Sequence, residues 1–204
     1  LAHLAGMLNA DDFSKLMADL DKERQKLRQF TDRAGGVDGV IAETRLGLDL
    51  SPDDTRDAIL DAAADESAFD RAALESATGA LDEGKQSDQD RAGEIRNWLE
   101  NEAPARAASF ETAYAPIFIT QEGNSRKSLM TKKPREAHPE ALKALLAEQD
   151  RVAAVLDRLK AVALAEATTA LLTVGMALMD EYDAIKRTRA LLDYNDLIEK
   201  AGKL

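Results

Sequence analysis

Apolar residues recur along this chain at intervals of three and four, the spacing of one face of an α-helix. In DDFSKLMADLDKERQKLRQF (11–30) they are Phe13, Leu16, Leu20, Leu27 and Phe30. That spacing predicts an amphipathic helix with Asp11 and Asp12 at its positive end and DRAGG as its stop. GLDLSPDDTRDAILDAAA predicts a second start, with Ser51 capping, Pro52 at the first helical position and Asp53 and Asp54 facing the helix dipole. Two more helices are expected from Glu66 to about Leu81 and from Ser87 to about Glu102, parted by DEGKQSD. Ile95, Trp98 and Leu99 share one apolar face of the latter, Pro104 lies just past its end, and ASFETAYA suits a further short helical stretch.

The texture changes at Pro116. IFIT is β-branched and aromatic, QEGN is a turn signal and SRKSLMTKKPR follows, so a short extended excursion or hairpin is expected within 117–131. After His138-Pro139 the rhythm becomes regular: Leu142, Leu145, Val152, Leu156, Leu159, Ala163, Ala167, Ala170, Val174, Leu178, Tyr182 and Ile185 form one seam, broken mainly at Gln149. The seam predicts one helix of roughly 50 residues, about 75 Å long, or two nearly collinear helices parted near Gly175. ALAEATTALLTVGMALM is apolar on several sides and calls for neighbours on several sides. No period of repeat length recurs. The expected fold is all-α, a helical bundle built on a long C-terminal helix, with residues 1–204 as a single helical domain.

Composition narrows the function. Hydrophobic residues make up 45% and charged residues 32%, which suits a folded globular protein. The absence of cysteine excludes disulfides, thiolate zinc sites and cysteine nucleophiles. The sequence shows no apolar run of about 20 residues for a membrane span and opens on LAHLAGMLNA without a signal-peptide head, so a cytoplasmic protein is expected, and the missing initiator methionine reads as an excised domain. A net charge of -11 disfavours a surface that coats nucleic acid throughout, and 4% aromatics disfavours a base-stacking platform. Any nucleic-acid contact must be local.

Motifs of known chemistry are missing: there is no G-x-x-x-x-G-K-[ST], no G-x-G-x-x-G and no G-x-S-x-G, and His3 and His138 belong to no spaced ligand set. Asp180, Glu181 and Asp183, and Asp193 with Asp196, offer carboxylate pairs that supply at most two metal ligands each and read as solvated helical faces. No catalytic residue and no metal site is expected. The informative polar cluster is SRKSLMTKKPR (125–135), where Arg126, Lys127, Lys132, Lys133 and Arg135 fall in an acid-free stretch of an acidic chain, with Ser125, Ser128 and Thr131 as hydroxyl donors. Such a loop serves either to hold a phosphate backbone or to pair with acidic helices of its own domain. Lys186, Arg187 and Arg189 suit the negative end of the long helix.

The C-terminal stretch DEYDAIKRTRALLDYNDLIEKAGKL resembles the return path from an inserted helical domain into the first motor domain of UvrD/Rep-type superfamily 1 DNA helicases. A Y-x-x-x-K pattern, here Tyr182 and Lys186, runs there into an LDFDDLI-like motif, here Leu192, Asp193, Tyr194, Asn195, Asp196, Leu197 and Ile198. Asn195 stands where the family often has an acid, and Tyr194 where Phe is commoner. FITQEGNSRKSLMTKK followed by the ALLAEQDRV helix is similar to the AddA-type helicase-nuclease subunits of that family, from about residue 108 onward. Over residues 1–107 the likeness is one of helical texture.

The resemblance implies a 1B-like insertion that contacts duplex DNA near the fork and has no catalysis of its own. In the family, ATP and Mg are held by motor domains, a separate nuclease domain cuts, and the complex acts in double-strand break repair and recombination. The implied partners are DNA and an AddB subunit. The implied DNA contacts are Arg126, Lys127, Lys132, Lys133 and Arg135, and the implied motor-packing residues are Leu192, Asp193, Tyr194, Asp196, Leu197 and Ile198. A helical scaffold or coiled-coil interaction module without a DNA role is the alternative, since the seam from Leu142 to Ile185 serves equally for a core or for association.

Overall fold

The computed structural model describes residues 11, 15, 19 and 22–188. Among the described residues the chain is all-α, with no strand. The helices are α1 (Arg24–Arg33), α2 (Val37–Gly47), α3 (Arg56–Ala64), α4 (Arg71–Asp82), α5 (Gln86–Glu100), α6 (Ala103–Ser109), α7 (Ala115–Phe118), α8 (Lys132–Ala137) and α9 (Pro139–Thr188). The long C-terminal helix runs without a break at Gly175. Contacts divide the chain into two compact units, Leu50–Ala163 and the described part of Leu1–Asp49 with Leu164–Leu204.

The unit Leu50–Ala163 holds the aromatic core. Five of the nine aromatic residues, Phe69, Trp98, Phe110, Tyr114 and Phe118, are buried in one cluster with Leu74, Leu81, Ile95, Leu145 and Val152. Trp98 stacks on Tyr114 with centroids 3.8 Å apart, and its indole N–H donates to the Arg106 carbonyl at 3.1 Å. A π turn at Phe110–Tyr114 joins α6 to α7. Pro116 gives the reason: a proline two residues on lacks the N–H that an unbroken α-helix would use and crowds the carbonyl four residues back, so the turn widens. The widening keeps Phe110 and Tyr114 both in the core, each fully buried.

One charged network lies inside this core. The Tyr114 hydroxyl donates to Glu148 Oε1 at 2.7 Å, and Arg151 donates to both Glu148 oxygens at 2.6 and 2.8 Å and to the Ala63 carbonyl at 2.9 Å. Burial, reinforced by the Glu148 charge, pushes the Tyr114 phenol well above its ordinary value. Every oxygen of the buried carboxylate is thus occupied, the condition under which a buried charge is tolerated.

Two helix starts differ from the expected ones. Ser51 does not cap a helix: Ser51 N–H donates to Asp54 Oδ2 at 2.9 Å and closes a turn, and α3 begins at Arg56 with the Thr55 hydroxyl accepting from Ala58 N at 3.1 Å. Asp54 is drawn off further by Arg158, which donates to both its oxygens at 2.9 Å. The segment at 66–70 is a 3-10 turn, Glu66–Ala68, and Asp70 then caps α4 by accepting from Ala73 N at 2.9 Å.

In the other unit, Gly35 and Gly36 take φ of 82° and 108°, which turns the chain between α1 and α2. The apolar spacing does not mark helix α2. Val40, Thr31, Ala165, Leu172 and Met179 are buried here, and Arg28 pairs with Asp180 at 3.2 Å. The buried stripe of α9 beyond Leu159 passes through Val162, Ala165, Leu172 and Met179, offset from the seam predicted through Ala163, Ala167, Ala170, Val174 and Leu178. Within this unit, Ala170, Val174 and Leu178 instead line an open groove of about 880 Å³ together with Ile41 and Arg45.

The expectation of no membrane-length apolar run does not hold. α9 contains an 18-residue window of mean hydropathy 1.7, long and apolar enough by length and composition to cross a membrane, and 28% of that window is buried. Glu166 is the only charged residue between Lys160 and Asp180, and the alanines and threonines around it leave the average apolar.

The buried network sets a stability order. Glu148→Ala, which strands the Arg151 guanidinium, is expected to cost about 3–5 kcal/mol. Tyr114→Phe, which removes one hydrogen bond to a charged acceptor, is expected to cost about 1.5–3 kcal/mol. Urea unfolding of the two variants checks the order; equal or reversed costs contradict it.

Candidate nucleic-acid interface

The loop leaves α7 at Ile119, where the backbone turns extended, and runs to Thr131. It forms a minimal hairpin rather than a strand pair: one antiparallel bridge joins Ile119 to Ser125, Thr120 N–H donates to Asn124 O at 2.8 Å, and Gly123 sits at φ 81° in the turn. Arg126 N–H returns to Phe118 O at 2.8 Å. The expected excursion within 117–131 is therefore present, with only this bridge as its ladder.

Buried side chains complete what the ladder does not supply. The Gln149 amide, 5% exposed, donates to Phe118 O at 2.8 Å and to Arg126 O at 3.1 Å, clasping the two ends of the hairpin. Gln149 is the residue that breaks the apolar seam, and its function is this clasp. Further along, Leu129 and Met130 are buried as apolar anchors. Asp88, 1% exposed, accepts from Thr131 N at 3.2 Å, from the Thr131 hydroxyl and from Lys85 N at 3.3 Å. One carboxylate thus closes the first turn of α5 and holds the loop end that enters α8. A Cβ on Gly84 would overlap Asp88 Oδ2 and lie 2.8 Å from Asp88 Cγ, so glycine is required beside it. Arg91, from the next turn of α5, donates to Leu129 O and stands 3.7 Å from Asp88. Burial holds its guanidinium below the ordinary value; Asp88 opposes that and the Arg126 charge adds to it.

With the backbone held from inside, the cations face outward. Arg126, Lys127, Lys132, Lys133 and Arg135 are all exposed. Arg126 is tethered through Nε to Pro116 O at 2.9 Å. Lys132 approaches Glu136 at 3.8 Å, with both side chains largely in solvent. Among the described residues, Lys127, Lys133 and Arg135 make no ion pair. Among the described residues an ion pair therefore takes up one of the five, Lys132, while the Arg126 charge also helps to hold the Glu122 carboxyl below its ordinary value, behind the Thr120 hydroxyl and the Glu122 amide.

Arg126 and Lys127 stand at the hairpin exit, whereas Lys132, Lys133 and Arg135 belong to α8. Lys132 and Lys133 share a cleft with Lys85, a cation that the sequence pattern does not single out. Leu192, Asp193, Tyr194, Asp196, Leu197 and Ile198 lie outside the described residues. No protein-family model, curated protein or solved structure matches the chain.

The clasp predicts an unusual substitution result. Gln149→Leu places an apolar side chain at an apolar seam position, yet is expected to destabilise by about 1–3 kcal/mol because it withdraws the donor from two carbonyls. Gln149→Glu should cost more, since it turns an acceptor toward them. Thermal melts of both variants test this; stabilisation by leucine would mean that Gln149 is only a polar interruption.

Proposed function

We propose that this chain is a DNA-contacting helical arm, without catalysis of its own, of an AddA-like UvrD/Rep-type helicase-nuclease acting in double-strand break repair and recombination. The observation that carries the reading is the outward display of Lys127, Lys133 and Arg135, without an ion pair among the described residues, on a backbone held by Gln149 and Asp88. Flexible point charges neutralise phosphates without reading bases. The aromatics support the same division, because Phe69, Trp98, Phe110, Tyr114 and Phe118 are committed to the core and offer no stacking face. In this reading ATP and Mg act in the motor domains of the parent enzyme, AddB is a partner there, and the protein is cytoplasmic.

The overall charge of -11 makes binding by the isolated chain weak and strongly salt-dependent. A second reading, a helical protein-interaction module, is favoured by the groove along Ala170, Val174 and Leu178 and by Leu164 at 56% exposure. Sedimentation bears on it: self-association that rises with concentration and disappears on Leu178→Glu supports it, and a concentration-independent monomer removes a second copy as the occupant.

Fluorescence anisotropy with duplex and forked DNA at low salt tests the first reading. The wild type should bind with an affinity that falls linearly in a double-logarithmic salt plot, and replacing Lys127, Lys133 and Arg135 by alanine should flatten the slope by about 0.9 for each phosphate no longer neutralised. An unchanged slope contradicts the assignment of the loop to DNA binding.

A further inference from the structure

The cleft shared by Lys85, Lys132 and Lys133 lies outside the loop hairpin and brings together two chain segments more than forty residues apart in sequence, with a volume of about 550 Å³. Its walls are Glu83, Gly84 and Lys85 on one side and Thr131, Lys132, Lys133 and Glu136 on the other. The buried Asp88 joins the walls, since its carboxylate binds Lys85 N and Thr131 N together. The spacing of the lysines therefore depends on a fixed backbone and not on a chance meeting of flexible chains.

The charges around the cleft are unequal. Glu136 is engaged by Lys132 at 3.8 Å, whereas Glu83 lies 3.1 Å from His138 Nε2 without a hydrogen bond between them. Lys85 and Lys133 are exposed and make no ion pair among the described residues. Three lysines and two glutamates thus line one cleft, which leaves a surplus of one positive charge, and with Lys132 engaged by Glu136 the lysines left to meet an anion are Lys85 and Lys133. Lysines suit a phosphate because each contributes a compact charge with rotatable donors.

We propose that Lys85 and Lys133, beside Lys132, form a phosphate-binding site that extends the DNA interface from the loop onto the first turn of α5. The extension to DNA rests on the reading of the loop as a DNA interface; the phosphate site itself stands on the cleft. Lys85 is the discriminating residue, because its ammonium group makes no ion pair among the described residues and its replacement by glutamine leaves the backbone bond to Asp88 in place.

The test uses the whole chain and two probes. In a ¹⁵N NMR titration with inorganic pyrophosphate, saturable shifts should be confined to the amides around 84–88 and 131–133. They should weaken several-fold in Lys85→Gln and strengthen in Glu83→Gln, with melting temperature unchanged in the former. Absence of a localised saturable shift, or shifts indifferent to Lys85→Gln, overturns the site. In the DNA titration, Lys85→Gln should lower the salt slope by about one, as expected when one phosphate is no longer neutralised. If substitution of Lys127 and Arg135 weakens DNA binding while Lys85→Gln leaves the slope unchanged, the extension fails and the loop reading stands. If pyrophosphate binds as described but DNA does not bind at all, the phosphate site stands and the loop reading fails.

Discussion

The backbone between Phe118 and Thr131 has almost no secondary-structure ladder, and its polar groups still have to be paired wherever they enter the core. Two buried side chains meet most of that demand. Gln149 from the long helix binds the carbonyls at both ends of the hairpin, and Asp88 from α5 binds the amide where the loop becomes α8. Arg91 adds the Leu129 carbonyl, and Leu129 and Met130 fill the space beneath. Without these inward bonds the loop would have only one bridge and a glycine turn to define it. With them, its charged side chains are turned toward solvent.

The same division of labour governs the chemistry. In the unit Leu50–Ala163 the buried Arg106 and the half-buried Arg151 are committed to main-chain carbonyls and to Glu66 and Glu148. Phe69, Phe110 and Tyr114 are gathered around Trp98. What is left at the surface near the loop is a set of lysines and arginines that outnumbers Glu122 and Glu136, on an otherwise acidic molecule. On the proposed reading, that composition would attract phosphates locally while the rest of the surface repels them, and so confine contact with a polyanion to one place.

Much of the fold was legible because helices announce themselves by period. The 50-residue helix and the helices at 71–82 and 86–100 follow from spacing, and the break at 117–131 follows from IFIT and QEGN. Misreadings arose where two signals of equal kind lay side by side. Ser51 and Thr55 both qualify as caps, and the choice falls to Thr55 because Asp54 binds Ser51 N and Arg158. Helix α2 escaped notice because VDGVIAETRLG carries two glycines and few large apolar residues. The offset of the buried stripe beyond Leu159 depends on which neighbours cover α9, and a single helix's pattern does not specify them. The cations of the loop were legible as a run, but Gln149, Asp88 and Lys85 were not. Their partners lie 31, 43 and 46 residues away, and only the folded chain brings them together. The one trace in the sequence was Gln149, a polar residue in an apolar seam.

Hydrogen exchange at the amides of Arg126 and Thr131 reports most directly on whether the loop is held from within. Both amides belong to a polar, basic stretch of sequence, yet both donate inward, to Phe118 O and to Asp88. Protection of both amides in the wild type, with Arg126 losing it in Gln149→Leu while helix α5 stays protected, is the predicted result. Exchange of both at the rate of an unstructured chain would contradict a preformed loop and with it the fixed display of charge.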